Sequence, residues 1–69
     1  MTLGNFLNIN HTFKTYIQIE NGNTTIYITV DLFADNYAEK IEEADQYKNA
    51  IVDFIDATKT GDMIVFAKL

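Results

Sequence analysis

Two stretches of the chain alternate between apolar and polar positions. From Thr12 to Glu20, Phe13, Thr15, Ile17 and Ile19 fall on one side, and Lys14, Tyr16, Gln18 and Glu20 on the other. From Thr24 to Asp31, Ile26, Ile28 and Val30 oppose Thr25, Tyr27, Thr29 and Asp31. A period of two marks a strand with one covered face, and the β-branched and aromatic residues of both runs suit a pleated surface. Asn21-Gly22-Asn23 between them tolerates the positive φ of a tight turn, so residues 12–31 are predicted to form a β-hairpin.

The period then lengthens. Steps of three and four from Asp35 give Glu39, Glu42, Gln46, Asn49, Asp53 and Asp56, while half a turn away lie Tyr37, Ile41, Ala44, Ile51 and Ile55. This spacing predicts one amphipathic helix over 35–58, its apolar face on a sheet and an acidic stripe facing solvent. Asp35 or Asn36 is placed to cap it, Asn36 and Glu39 have the spacing of a capping box, and Lys59-Thr60-Gly61 supplies a stop. Lys48 falls within the apolar face, where its stem is expected to pack and its ammonium to reach the edge.

Residues 62–69 read as a third strand, with Met63, Val65 and Ala67 on one face and Ile64 and Phe66 on the other. Apolar residues on both faces predict a strand covered twice. Residues 1–10 are ambiguous: Leu3, Phe6 and Leu7 have helical spacing, whereas Leu3, Leu7 and Ile9 would share one face of a strand. The reading favours an extended or short-strand segment laid on the sheet. The expected architecture is a single small α+β domain of order β-β-α-β: a three-stranded, mainly antiparallel sheet, its first strand central, with one helix on one face. Tyr16, Tyr27, Ile64 and Phe66 then share the opposite face, which needs cover from the amino-terminal segment or from a second copy in a homodimer.

Composition narrows the chemistry. A net charge of -5, a pI near 4.4 and five Lys without Arg argue against direct nucleic-acid binding, which relies on cations that displace counterions from phosphates. Cys and Ser are both missing, removing thiolate chemistry, disulfides, Cys-based metal centres and the commonest hydroxyl nucleophile. No apolar run is long enough for a membrane span, and no export signal is visible, so membrane association is not expected. For the same reason Asn10-His11-Thr12 and Asn23-Thr24-Thr25 are read as chance matches to the glycosylation pattern. His11 is the sole histidine and has no acid nearby in sequence. Asp31, Asp35 and Glu39 repeat every four residues but would diverge on a solvated face, so no metal, no cofactor and no enzymatic activity are expected.

These features point to a non-enzymatic protein-binding module that docks its acidic helix on a basic surface of a larger protein. Asp35, Glu39, Glu42, Glu43, Asp53 and Asp56 would make the contacts. As an imitation of nucleic acid the stripe is sparse: 35–56 would span roughly 32 Å of helix, over which a duplex carries one charge per ~1.7 Å. The alternative is a structural or assembly protein that homo-oligomerises through Tyr16, Tyr27, Ile64 and Phe66. In size, acidity and abundance of Asn and Ile, the chain resembles the small inhibitory proteins of bacteriophages and mobile elements, including anti-CRISPR proteins. That resemblance carries no residue motif; it implies an inhibitor of a nucleic-acid-binding protein, acting in the cytoplasm, of a host cell if phage-encoded.

Overall fold

The structure, a computed structural model, describes residues 1–9 and 14–69. Its elements run α1 (Leu3–Ile9), β1 (Lys14–Asn21), β2 (Thr24–Asp31), α2 (Tyr37–Asp45), β3 (Ile51–Ala57) and β4 (Met63–Lys68). The class is α+β, with two helices and a four-stranded mixed sheet in the order β2-β1-β4-β3. The predicted hairpin forms: β1 and β2 pair antiparallel, with Ile17 opposite Ile28 and Ile19 opposite Ile26. Its loop is Gly22-Asn23, where Gly22 has a φ of 63° and Asn23 does not enter positive φ, the pattern of a type II′ turn. The hairpin's expected start at Thr12 and Phe13 lies outside the described residues, as do Asn10 and His11.

The single helix over 35–58 is not what forms. α2 stops at Asp45, and the backbone tightens into i→i−3 hydrogen bonds, from Tyr47 N to Ala44 O (3.0 Å), Lys48 N to Asp45 O (3.2 Å) and Ala50 N to Tyr47 O (3.0 Å). Two forces oppose continuation. The carbonyl end of α2 carries Glu42, Glu43 and Asp45 with no cation in the last turn, the unfavourable sign for the helix dipole. The following Ile51-Val52-Asp53-Phe54-Ile55 is rich in residues that prefer a pleated surface.

This segment imitates helical spacing because it contains a bulge. Val52 opposes Ala67 and Phe54 opposes Phe66, leaving Asp53 as the extra residue. Asp53 and Asp56 therefore share one face at a spacing of three, as a helical stripe would, whereas Ile51 and Ile55, expected on one apolar face, pair with Lys68 and Val65 on opposite faces. The sheet gains a fourth strand in place of the predicted three. Gly61, expected to end a helix, sits in the turn between β3 and β4, and Lys48 lies in the turn after α2 rather than on a helical face. Asn36 stands at the N-cap of α2 but makes no side-chain capping bond, so the predicted capping box is not formed.

Residues 1–9 also depart from expectation. The favoured short strand is instead the helix α1, and only Thr2 bridges to a strand, antiparallel to Ile51. Val52 N donates to Met1 O and Leu3 N to Ala50 O, each at 2.8 Å, which fixes α1 over the β3 side of the sheet. Gly4 permits the close approach: its N–H donates to Lys48 O at 3.0 Å, and a Cβ there would meet Lys48 Cβ at 3.0 Å.

One core results. Leu3 and Phe6 of α1 and Ala44 of α2, with Ala50, close over Ile17, Ile19, Ile28, Val30, Val65 and Ala67. Both helices thus cover the same face. Among the described residues β4 is not covered twice as expected; its continuous apolar run reflects a place between two neighbouring strands, β1 in parallel and β3 in antiparallel register. Removing buried methylenes is costly, so Ile17→Ala is expected to lower the unfolding free energy by about 2–5 kcal/mol. Gly4→Val should cost about 1–3 kcal/mol by overpacking against Lys48, whereas Asn5→Ala on the exposed side of α1 changes little. Urea titration followed by circular dichroism reads all three.

Candidate functional site

Strand registers build the uncovered face of the sheet as a grid. Across β2, β1, β4 and β3, its two central rows are Tyr27, Gln18, Phe66, Phe54 and Thr29, Tyr16, Ile64, Asp56. Tyr16, Tyr27, Ile64 and Phe66, expected to share a face, are brought together here. Phe54 joins them, a residue the helical reading had hidden, with its ring centroid 5.7 Å from that of Phe66. Among the described residues nothing lies over this face. The amino-terminal segment, expected as one candidate cover, packs its Leu3 and Phe6 on the opposite side. Tyr27 is 72% exposed, Phe54 56% and Tyr16 37%, while Ile64 and Phe66 are half-buried by their lateral neighbours.

Charges occupy the two ends of the grid. At one end Lys68 lies between Glu20 (3.6 Å) and Asp53 (3.8 Å). At the other, Lys14 pairs in register with Asp31 and is flanked on the β4 side by Asp62. The Lys14 pKa is held above its ordinary value, first by a hydrogen bond and electrostatic attraction to the Tyr16 side chain. Asp31 and Asp62 add to the effect, and desolvation opposes it. Its Nζ sits 5.5 Å from the Tyr16 ring centroid, within reach of a cation–π contact. Both ends of the face therefore alternate acid, base, acid.

The predicted acidic stripe is divided. Asp35, Glu39 and Glu42 are exposed at α2, and Glu43 is half-buried in a 3.0 Å ion pair with Lys40. Asp53 and Asp56 stand on β3, on the far edge of the sheet from β2, and belong to the uncovered face. The six carboxylates do not form a line, because the helix meant to carry them ends at Asp45.

A second concavity lies between the helices. This groove of about 650 Å³ is lined by Asn5, Leu7 and Asn8 of α1, by Tyr37, Ile41, Glu42 and Asp45 of α2, and by Lys48. Sequence reasoning anticipated no such hollow, since it placed no helix before β1. Among the described residues, no three His, Asp or Glu side chains converge as metal ligands do, and no helix is long and apolar enough to cross a membrane. Comparison with known protein families, curated proteins and solved structures finds no match to this chain.

The aromatic grid is separable from the fold's stability. Phe54→Ser is expected to reduce the unfolding free energy by about 1 kcal/mol or less, as for other exposed positions. Phe6→Ala, which empties a site beneath α1, should cost about 3–5 kcal/mol. Paired denaturation curves make the comparison.

Proposed function

We propose that this chain is a non-enzymatic protein-binding module whose working surface is the open face of the sheet. The observation that carries the reading is the contiguous aromatic patch of Tyr16, Tyr27, Phe54 and Phe66, uncovered among the described residues. Apolar surface gains roughly 25 cal/mol per Å² on leaving water. Aromatic side chains can each bury about 150–250 Å², so a patch of four offers several kcal/mol to whatever covers it. Patches of this extent mark interfaces on soluble proteins. Tyr and Phe are also the residues that supply contact area at small cost in side-chain entropy.

A second reading keeps the acidic group at α2 as the docking element. Asp35, Glu39 and Glu42 are exposed, and they would steer the chain to a basic surface, such as that of a nucleic-acid-binding protein. Without Asp53 and Asp56 on the same ridge, the charge available to that mode is reduced.

One comparison separates the two. The chain is immobilised and challenged with extract of its native source, alongside a Tyr27→Lys, Phe54→Lys variant and a Glu39→Gln, Glu42→Gln variant. Loss of bound protein, this chain's own copies included, with the first variant alone supports the sheet face. Loss with the second alone overturns it in favour of the acidic helix.

A further inference from the structure

We propose that β2 is the edge at which a second copy of this chain joins the sheet. Two β2 strands pair antiparallel about a two-fold axis normal to the sheet, giving one continuous layer of eight strands. The pairing is edge to edge, so it leaves the aromatic face open and goes beyond the reading of that face as the working surface.

The two rims of the sheet differ. On β3, Met1 and Thr2 already occupy the rim at Val52 and Ile51. The bulge at Asp53 follows, and beyond it Ala57 N donates to the Asp56 carboxylate at 2.8 Å. A bulge and charged side chains on an edge strand discourage further pairing. β2 has no such guard along Thr24–Val30. The strand runs eight residues in unbroken register with β1 and carries no charge before Asp31. Its β-branched residues suit a ladder, and among the described residues no strand lies on its outer side.

The turn fixes which backbone groups this rim offers. A two-residue loop is closed by a hydrogen-bonded pair, here Asn21 with Thr24. Alternation then points the N–H and C=O groups of Thr24, Ile26, Ile28 and Val30 at β1, and those of Thr25, Tyr27, Thr29 and Asp31 outward. The Asp31 carbonyl accepts from Ala34 N at 3.0 Å in the following turn; the remaining outward groups face the place of a fifth strand.

β2 is its own complement. Two symmetric registers join outward groups over the longest overlap. One, centred on Ile28, sets Tyr27 opposite the other copy's Thr29 and Asp31 opposite its Thr25. The other, centred on Tyr27, sets Thr25 opposite the other copy's Thr29 and Asp31 opposite its Asn23. Both place Ile28 against an isoleucine on the covered side, and neither opposes two like charges, which would destabilise a cross-strand pair.

The helices are compatible with the joint. Strands lie about 4.8 Å apart, so two helices of about 10 Å diameter match the width of four strands. With α1 on the β3 side and α2 on the β2 side, that spacing continues from one copy to the next. Tyr37, Ile41 and Ala44 of α2 pack on the core, and Ala38, Glu42 and Asp45 line the groove toward α1. Lys40 and Glu43 therefore stand on the side of α2 toward the β2 rim. The two-fold axis runs the two α2 helices antiparallel, which sets Lys40 of one copy toward Glu43 of the other.

Sedimentation of the purified chain at high micromolar concentration is expected to show a dimer; a monomer throughout overturns the proposal. Thr29→Pro removes an outward N–H and spares the ladder with β1. It should weaken self-association about tenfold or more, since each dimer loses the bond twice. Phe54→Lys, on the open face, should leave self-association unchanged, with circular dichroism confirming both folds. Loss with Phe54→Lys and none with Thr29→Pro assigns the contact to the open face and overturns pairing at the rim. Cross-linking reads the register. The chain has no Cys, and opposed Cα atoms of a hydrogen-bonded pair lie about 5.5 Å apart, within reach of a disulfide. In oxidised glutathione, Tyr27→Cys alone links two copies if the axis passes through Tyr27; mixed with Thr29→Cys it gives the mixed dimer if the axis passes through Ile28. A dimer that forms neither link overturns the proposed pairing.

Discussion

The parallel pairing of β1 with β4 governs the architecture. It joins two antiparallel hairpins, β1–β2 and β3–β4, along their inner strands, and sets Ile17 beside Val65 and Ile19 beside Ala67. Parallel neighbours cannot be linked by a tight turn. The chain must leave the sheet at the end of β2, pass over one face, and re-enter at β3 on the far edge. That passage lays α2 and the turn after it on the covered side, where Ala44 and Ala50 are small enough to seal the core. α1 fills what α2 leaves. Both helices are thereby committed to one face, and among the described residues nothing covers the other.

The parts of this fold that could be read from sequence are those where one period acts without interruption. The alternation of Thr15, Ile17 and Ile19 against Ile26, Ile28 and Val30 is undisturbed, and the hairpin follows it residue for residue. The alternation of Met63, Val65 and Ala67 is likewise clean, and β4 forms; it lies beside β1 as expected, but parallel to it where an antiparallel neighbour is predicted. Residues 35–58 were misleading for a local reason: the bulge at Asp53 inserts one residue into a strand and converts its period into a helix-like one. The clues that favour a strand there are the β-branched run Ile51-Val52 and the uncompensated acids at the end of α2. The shortness of α1 makes Leu3, Phe6 and Leu7 compatible with either structure until Lys48 and Ala50 supply their hydrogen-bonding partners.

The bulge in β3 also divides the candidate site into a part legible from alternation and a part that is not. Tyr16, Tyr27, Ile64 and Phe66 lie on strands whose faces are fixed by simple alternation, so their clustering was legible. Phe54 and Asp53 escape that surface in a helical reading of 35–58. Once they are placed on the edge strand, the acidic residues cease to be one ridge. Some surround α2, and others frame the aromatic grid beside Lys14 and Lys68. Charge that resembled a single docking surface is distributed over two sides of the molecule.

The hydrogen bond from Val52 N to Met1 O has a practical bearing on how this protein is handled. Met1 and Thr2 run antiparallel to the outer rim of β3, so a peptide joined ahead of Met1 would enter alongside Asp53–Ala57 with its own backbone amides in position to extend the ladder. An affinity handle at that end could become a fifth strand, widening the layer and masking the rim. Attached behind Leu69, the same handle would leave from the end of an inner strand, away from that rim.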